Sequence, residues 1–123
     1  MDLESSLRAI YARFNERDLD GVLTGLAPDV EWPRAWEGDH IRGHDAVREY
    51  WTRQWAEIQP RVDPIHFERL PDGRCRCRVA QTVRDFEDRI LFDGEVTHTY
   101  TFAGDLVRRM EIETDQPSPA PAG

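Results

Sequence analysis

Among the residues able to do chemistry, His98 has the most telling position. It stands in the run Val96-Thr97-His98-Thr99-Tyr100-Thr101-Phe102, where alternation puts Val96, His98, Tyr100 and Phe102 on one face of a strand and three threonines on the other. A histidine in an apolar row is a candidate proton donor or acceptor. Its ordinary pKa of about 6.5 falls on burial unless an acid lies close. The competing reading is a core histidine hydrogen-bonded to a neighbouring strand or to Tyr50. Gln81 is the second such residue, an amide in the row Cys75, Cys77, Val79, Gln81, Val83, and it could orient a ligand oxygen. Left unpaired in a core, either group costs about 1–3 kcal/mol, so each needs a partner in protein, water or ligand. His40 lies in the stretch from Arg34 to Gly43, which has no periodicity and reads as a loop rimming the site.

Around these polar groups the chain concentrates flat apolar side chains. The four tryptophans Trp32, Trp36, Trp51 and Trp55, with Tyr50, fall in one stretch. Tyr11 and Phe14 come from the N-terminal helix, and Met110 from the last strand. Together they are the expected walls for a flat hydrophobic ligand. The only cysteines, Cys75 and Cys77, point the same way from one strand and lack the geometry of a disulfide. One Cys-x-Cys, even with His66 recruited, is a poor zinc signature, so no metal site is expected.

Three helices and a run of strands must position these groups. Leu3, Leu7, Ile10, Tyr11 and Phe14 recur at helical spacing between Asp2 and Arg17. Asp18 caps a second, short helix through Leu19, Val22, Leu23 and Leu26, ended by Pro28. Val30-Glu31-Trp32 reads as a brief strand stopped by Pro33. A third helix starts at His44 or Asp45 and carries the stripe Val47, Tyr50, Trp51, Gln54, Trp55 and Ile58 up to Pro60. Beyond Pro64 come Ile65-His66-Phe67, a turn at Pro71-Asp72-Gly73, and a long strand from Arg74 to about Phe86. The closing hairpin runs from Glu95 to Glu113 and turns at Ala103-Gly104-Asp105. Its second arm puts Leu106, Arg108, Met110 and Ile112 on one side and Val107, Arg109, Glu111 and Glu113 on the other. The whole is an α+β domain over residues 1–115, with a Pro/Ala-rich, disordered tail at 116–123.

The chain of 123 residues is one domain, and 39% apolar content implies a small core or one shared with a pocket or partner. A formal charge of −8 argues against a nucleic-acid partner, which requires a basic footprint. All 16 basic residues are arginine, which coding bias explains better than chemistry does. Neither a signal segment nor a membrane span is visible, so a cytoplasmic protein is expected. The threonine face, with Thr82, Thr97, Thr99, Thr101, Val107 and Arg109, suits sheet-on-sheet packing, and a homodimer through this outer face is expected.

The order of elements, with Asp29-Val30-Glu31-Trp32-Pro33, Ile41-Arg42-Gly43-His44-Asp45-Ala46-Val47 and His98-Thr99-Tyr100-Thr101-Phe102 before a glycine turn, resembles the nuclear transport factor 2-like superfamily. Within it, the chain is similar to the SnoaL-like and ketosteroid isomerase-like branch over roughly residues 3 to 114. The resemblance implies a cone: a curved antiparallel or mixed sheet wraps three N-terminal helices and leaves an apolar pocket open at one end. It also implies cofactor-free chemistry or simple binding of a hydrophobic small molecule. The isomerase's general base falls on Trp32, which cannot abstract a proton, and its oxyanion-hole aspartate falls on His98, which can donate a hydrogen bond. The aspartate of related epoxide hydrolases falls on about Ile112. Two functions follow as expectations: an isomerase or cyclase using His98 on a hydrophobic carbonyl compound, or a non-catalytic ligand-binding domain.

Overall fold

A computed structural model describes residues 3–34 and 39–114, so Trp36 and the tail at 116–123 lie outside it. Helix α1 (Leu3–Asn15) turns Leu7, Ile10 and Tyr11 inward, as their spacing requires. Asp18 caps α2 (Leu19–Leu23) by accepting the Gly21 N–H at 3.0 Å. That helix is shorter than the sequence suggests, because strand β1 (Leu26–Arg34) begins before Pro28 and runs on through Pro33. Pro28 is tolerated there: it falls between Leu26 and Glu31, where the pairing to the last strand shifts register and its missing N–H breaks no ladder bond. Strand β2 (Asp39–Arg42) lies in the stretch read above as loop. Its four residues are nearly all exposed, so they carry no alternation to read.

Gly43, at φ 89°, turns the chain from β2 into α3 (His44–Glu57), a conformation that glycine adopts without strain. Helix α3 sends Val47 and Trp51 into the core. Strands β3 (Gln59–Arg69), β4 (Cys75–Arg84), β5 (Ile90–Ala103) and β6 (Leu106–Thr114) follow. Here β3 starts ahead of Pro60 instead of after Pro64. It is an edge strand, so one side needs no donor and prolines fit. The hairpin strand β5 likewise begins earlier than Glu95, at Ile90.

Among the described residues the sheet has six strands in the order β2-β1-β6-β5-β4-β3, with β1 parallel to β6 and the other neighbours antiparallel. The three helices and this unclosed mixed sheet form the α+β cone. No described helix is long and apolar enough to cross a membrane. The inner rungs read Cys75 opposite Tyr100, Cys77 opposite His98, Val79 opposite Val96, and Gln81 opposite Gly94. In β6 the register slips: Thr101 faces Arg109 but Phe102 faces Val107, which leaves Arg108 as an extra, exposed residue. Strict alternation puts Val107 outside; the bulge turns it inward, to 1% exposure.

The outer face is more charged than its threonines suggest. Thr97 and Thr99 are buried beneath ion pairs that span the strands, including Arg78–Glu95 at 2.7 Å and Arg109–Glu31 at 2.6 Å. The threonine row reads as neutral only when the flanking strands are left out. On the inner side Asn15, at the end of α1, holds edge strand β3 by two bonds: its amide donates to the Val62 carbonyl at 2.7 Å and its oxygen accepts the Val62 N–H at 2.9 Å.

Candidate functional site

Helix α1, helix α3 and the sheet leave a cavity between them. Its walls are Ile10, Tyr11 and Phe14 from α1, Trp32 and Pro33 from β1, Tyr50, Trp51 and Gln54 from α3, and Pro60, Val62, Gln81, His98 and Tyr100 from the sheet. The cavity volume of about 80 Å³ has room for roughly six waters, and a flat compound larger than that would extend toward the open mouth. Exposure grades across it. Tyr11, His98 and Tyr100 are 3%, 5% and 1% exposed, while Tyr50, Gln54 and Gln81 are half-buried. One end is deep and the other faces the mouth.

The deep end is a relay of hydroxyls and imidazole. Tyr100 donates its hydroxyl proton to the Tyr11 oxygen at 2.6 Å, and Tyr11 lies 2.8 Å from His98 Nδ1. Tyr11, which accepts from Tyr100, can give its own proton to Nδ1, and neutral His98 then carries its ring proton on Nε2. The Tyr11 and His98 rings stack with centroids 5.9 Å apart, and Tyr100 meets both edge-on. Burial lowers the His98 pKa to about 4, so the ring is uncharged at neutral pH. Burial also pushes both tyrosines above their ordinary value, so they stay protonated as donors. Cys77, beside Tyr11, is raised to about 11 by the same cause and is an unreactive thiol.

A wall of aromatic rings stands over this end. Trp32 meets Trp51 edge-on at 5.2 Å, Phe14 meets Trp51 at 5.4 Å, and Trp55 stacks behind Trp51 at 5.8 Å. Toward the mouth, Gln54 donates to the Tyr50 hydroxyl at 2.9 Å. What the site can supply is hydrogen-bond donation to an oxygen held in a mostly apolar pocket. Such donors act strongly where charge develops.

Of the residues singled out in the sequence, the structure brings His98, Gln81, Trp32, Tyr50, Trp51, Tyr11 and Phe14 together around the cavity. Three others stand apart from the lining. His40 lies on β2 and bonds the Met110 carbonyl through Nε2 at 3.1 Å, tying the edge strand to β6. Trp55 is a second layer behind Trp51, clamped by the Arg17 guanidinium 5.3 Å from its ring. Met110 is a core side chain beneath the deep end. Sequence reasoning missed Tyr100 as part of the site, although it shares the His98 face two residues on. Gln54 was visible one turn after Tyr50. Pro60 and Val62 were hidden by the unexpected start of β3.

The sequence model of the SnoaL-like domain matches residues 7–114, nearly the whole described chain. The chain belongs to the SnoaL-like family. Solved structures agree. An NTF2-like protein of unknown function from Burkholderia pseudomallei is 27% identical, with 94% of this chain and 92% of that one covered at a TM-score of 0.80. TerC, co-crystallised with polyporic acid, is 26% identical over 92% of this chain and 91% of that one, also at 0.80. A protein with a ketosteroid isomerase-like fold from Catenulispora acidiphila, in complex with trimethylamine, is 14% identical over 87% and 82% at 0.76, and so shares the fold. No curated protein matches this SnoaL-like chain.

Proposed function

We propose that this SnoaL-like protein binds a flat hydrophobic carbonyl compound and polarises its oxygen with the Nε2–H of His98, as a cofactor-free isomerase or cyclase would. The observation that carries the reading is the Tyr100–Tyr11–His98 chain at the floor of the cavity. It supports a neutral imidazole as a hydrogen-bond donor in a mostly apolar pocket. When water entering by the mouth takes the α-proton, the negative charge left on the enolate oxygen would be held by a preorganised N–H. Family membership supports a small-molecule ligand.

The test is hydrogen–deuterium exchange at the α-carbon of β-tetralone, followed by NMR with and without protein. Acceleration by wild type that falls about a hundredfold in His98→Ala is the expected result, the usual size of one lost donor. A second reading, non-catalytic ligand binding, is favoured by a specific observation: among the described residues lining the cavity there is no carboxylate to act as base. Under that reading the ketone quenches tryptophan fluorescence and no exchange is accelerated. A ketone that does neither sinks both.

We further assign the protein to the cytoplasm, in keeping with two buried, unpaired cysteines, and to a homodimer formed through the outer sheet face.

A further inference from the structure

We infer that the cavity takes a flat, two-ring compound that bears no negative charge and has an oxygen at each end. This rests on the reading of His98 above and adds the far end of the ligand. Polar groups line the cavity at two stations. The deep station is Tyr11, Tyr100 and His98; the station toward the mouth is Gln81 from β4 with Gln54 and Tyr50 from α3.

The sheet register sets the distance between them. His98 faces Cys77, and Gln81 is four residues further along β4 on the same face. At about 3.3 Å per residue the two backbone positions are roughly 13 Å apart. The rung between them is Val79 opposite Val96, both buried, and the facing wall is Phe14, Trp32 and Trp51. Opposite Gln81 stands Gly94, which has no side chain to compete with a ligand for the amide. With side chains reaching inward from both rungs, the gap left along the strand suits a two-ring body lying toward the open mouth.

The ligand's charge follows from what is missing at both stations. All 16 basic residues of the chain are arginines, every one lies within the described residues, and none lines the cavity. His98 is neutral at working pH. A carboxylate or phosphate brought into the cavity would therefore be desolvated without a cation to meet it, inside a protein of net charge −8. Neutral amides and a phenol suit a hydroxyl or a carbonyl.

Three probes test this by tryptophan quenching: a naphthyl methyl ketone, the same ketone with a hydroxyl on the far ring, and the same ketone with a carboxylate there. The pH is chosen so that the phenol is protonated and the acid ionised. In wild type the phenol should bind roughly fivefold tighter than the parent ketone, the yield of one net neutral hydrogen bond. The carboxylate should bind about tenfold weaker or worse. In Gln81→Leu the ratio of phenol to parent-ketone affinity should fall to about one. Equal binding of phenol and parent ketone in wild type overturns the far station and leaves the reading of His98 standing. Carboxylate binding as tight as the ketone overturns the exclusion of anions, and a phenol advantage that survives in Gln81→Leu overturns the role of Gln81. Should that variant fail to fold, the wild-type ratios decide alone. If even the parent ketone does not bind, the reading of His98 falls and this inference with it.

Discussion

A buried imidazole makes the protein's stability depend on pH in a fixed direction. Native His98 takes up a proton only near pH 4, whereas in the unfolded chain it does so at about 6.5. Above the upper value neither state is protonated, and the group adds no pH dependence. As pH falls through the window, the unfolded chain gains a proton that the native one refuses, so stability is lost, by about 3 kcal/mol at the foot of the window. Urea unfolding above and below the window should show that loss in wild type and a much smaller one in His98→Gln, and equal slopes would mean another group carries it. The position of His98 was legible in the sequence because alternation is local. Its partner was not: Tyr11 comes from a helix at the far end of the chain, and no spacing rule links the two. The sequence offered Tyr50 instead, which sits at the other end of the cavity.

Helix α1 forms two walls of the site, and its seating on β3 depends on one side chain. Asn15 satisfies both the N–H and the C=O of Val62, which itself lines the cavity. Asn15→Ala removes both bonds and leaves two half-buried backbone groups short of partners. The expected loss is about 1–3 kcal/mol by denaturant unfolding, with weaker ketone binding as the wall loosens. Stability within a few tenths of wild type would show that water replaces the amide. Elements with a strong period were legible: α1, α3 and the inner row of β5 carry stripes that local sequence encodes, as it does the existence of the β5–β6 hairpin. Strands β1 and β3 were shortened by their prolines, since sequence alone does not show which backbone donors the sheet leaves unused. The bulge at Arg108 was invisible for a related reason, because an extra residue in a ladder shows only once the partner strand is aligned.

At the level of the molecule, the outer face is where a second copy is proposed to pack. Thr99 is 2% exposed, and its hydroxyl has no hydrogen-bond partner among the described residues. The ion pairs above it are largely satisfied within one chain, so a second copy would have to rearrange some of them. Light scattering at micromolar concentration should give twice the chain mass, shifting toward monomer at high salt if cross-sheet charges contribute. A single-chain mass at every salt concentration would remove the dimer. The family was readable from short motifs spread over the chain, and the cone follows from it; the chemistry was not, because the position of the isomerase base is a tryptophan.

Strand β1 is made early and pairs in parallel with β6, which is made last; the Val107 N–H closes onto the Gly25 carbonyl. During synthesis, β3, β4 and β5 can zip as neighbouring hairpins while β1 and β2 wait as a separate piece. Within the sheet, the strand that carries Trp32 joins the others only through the final strand, which bridges the two halves. A product cut short before Leu106 would keep every residue that lines the ligand pocket and still lack the strand that seats Trp32 in the sheet, a dependence on nonlocal closure that also predicts slow folding for so small a chain.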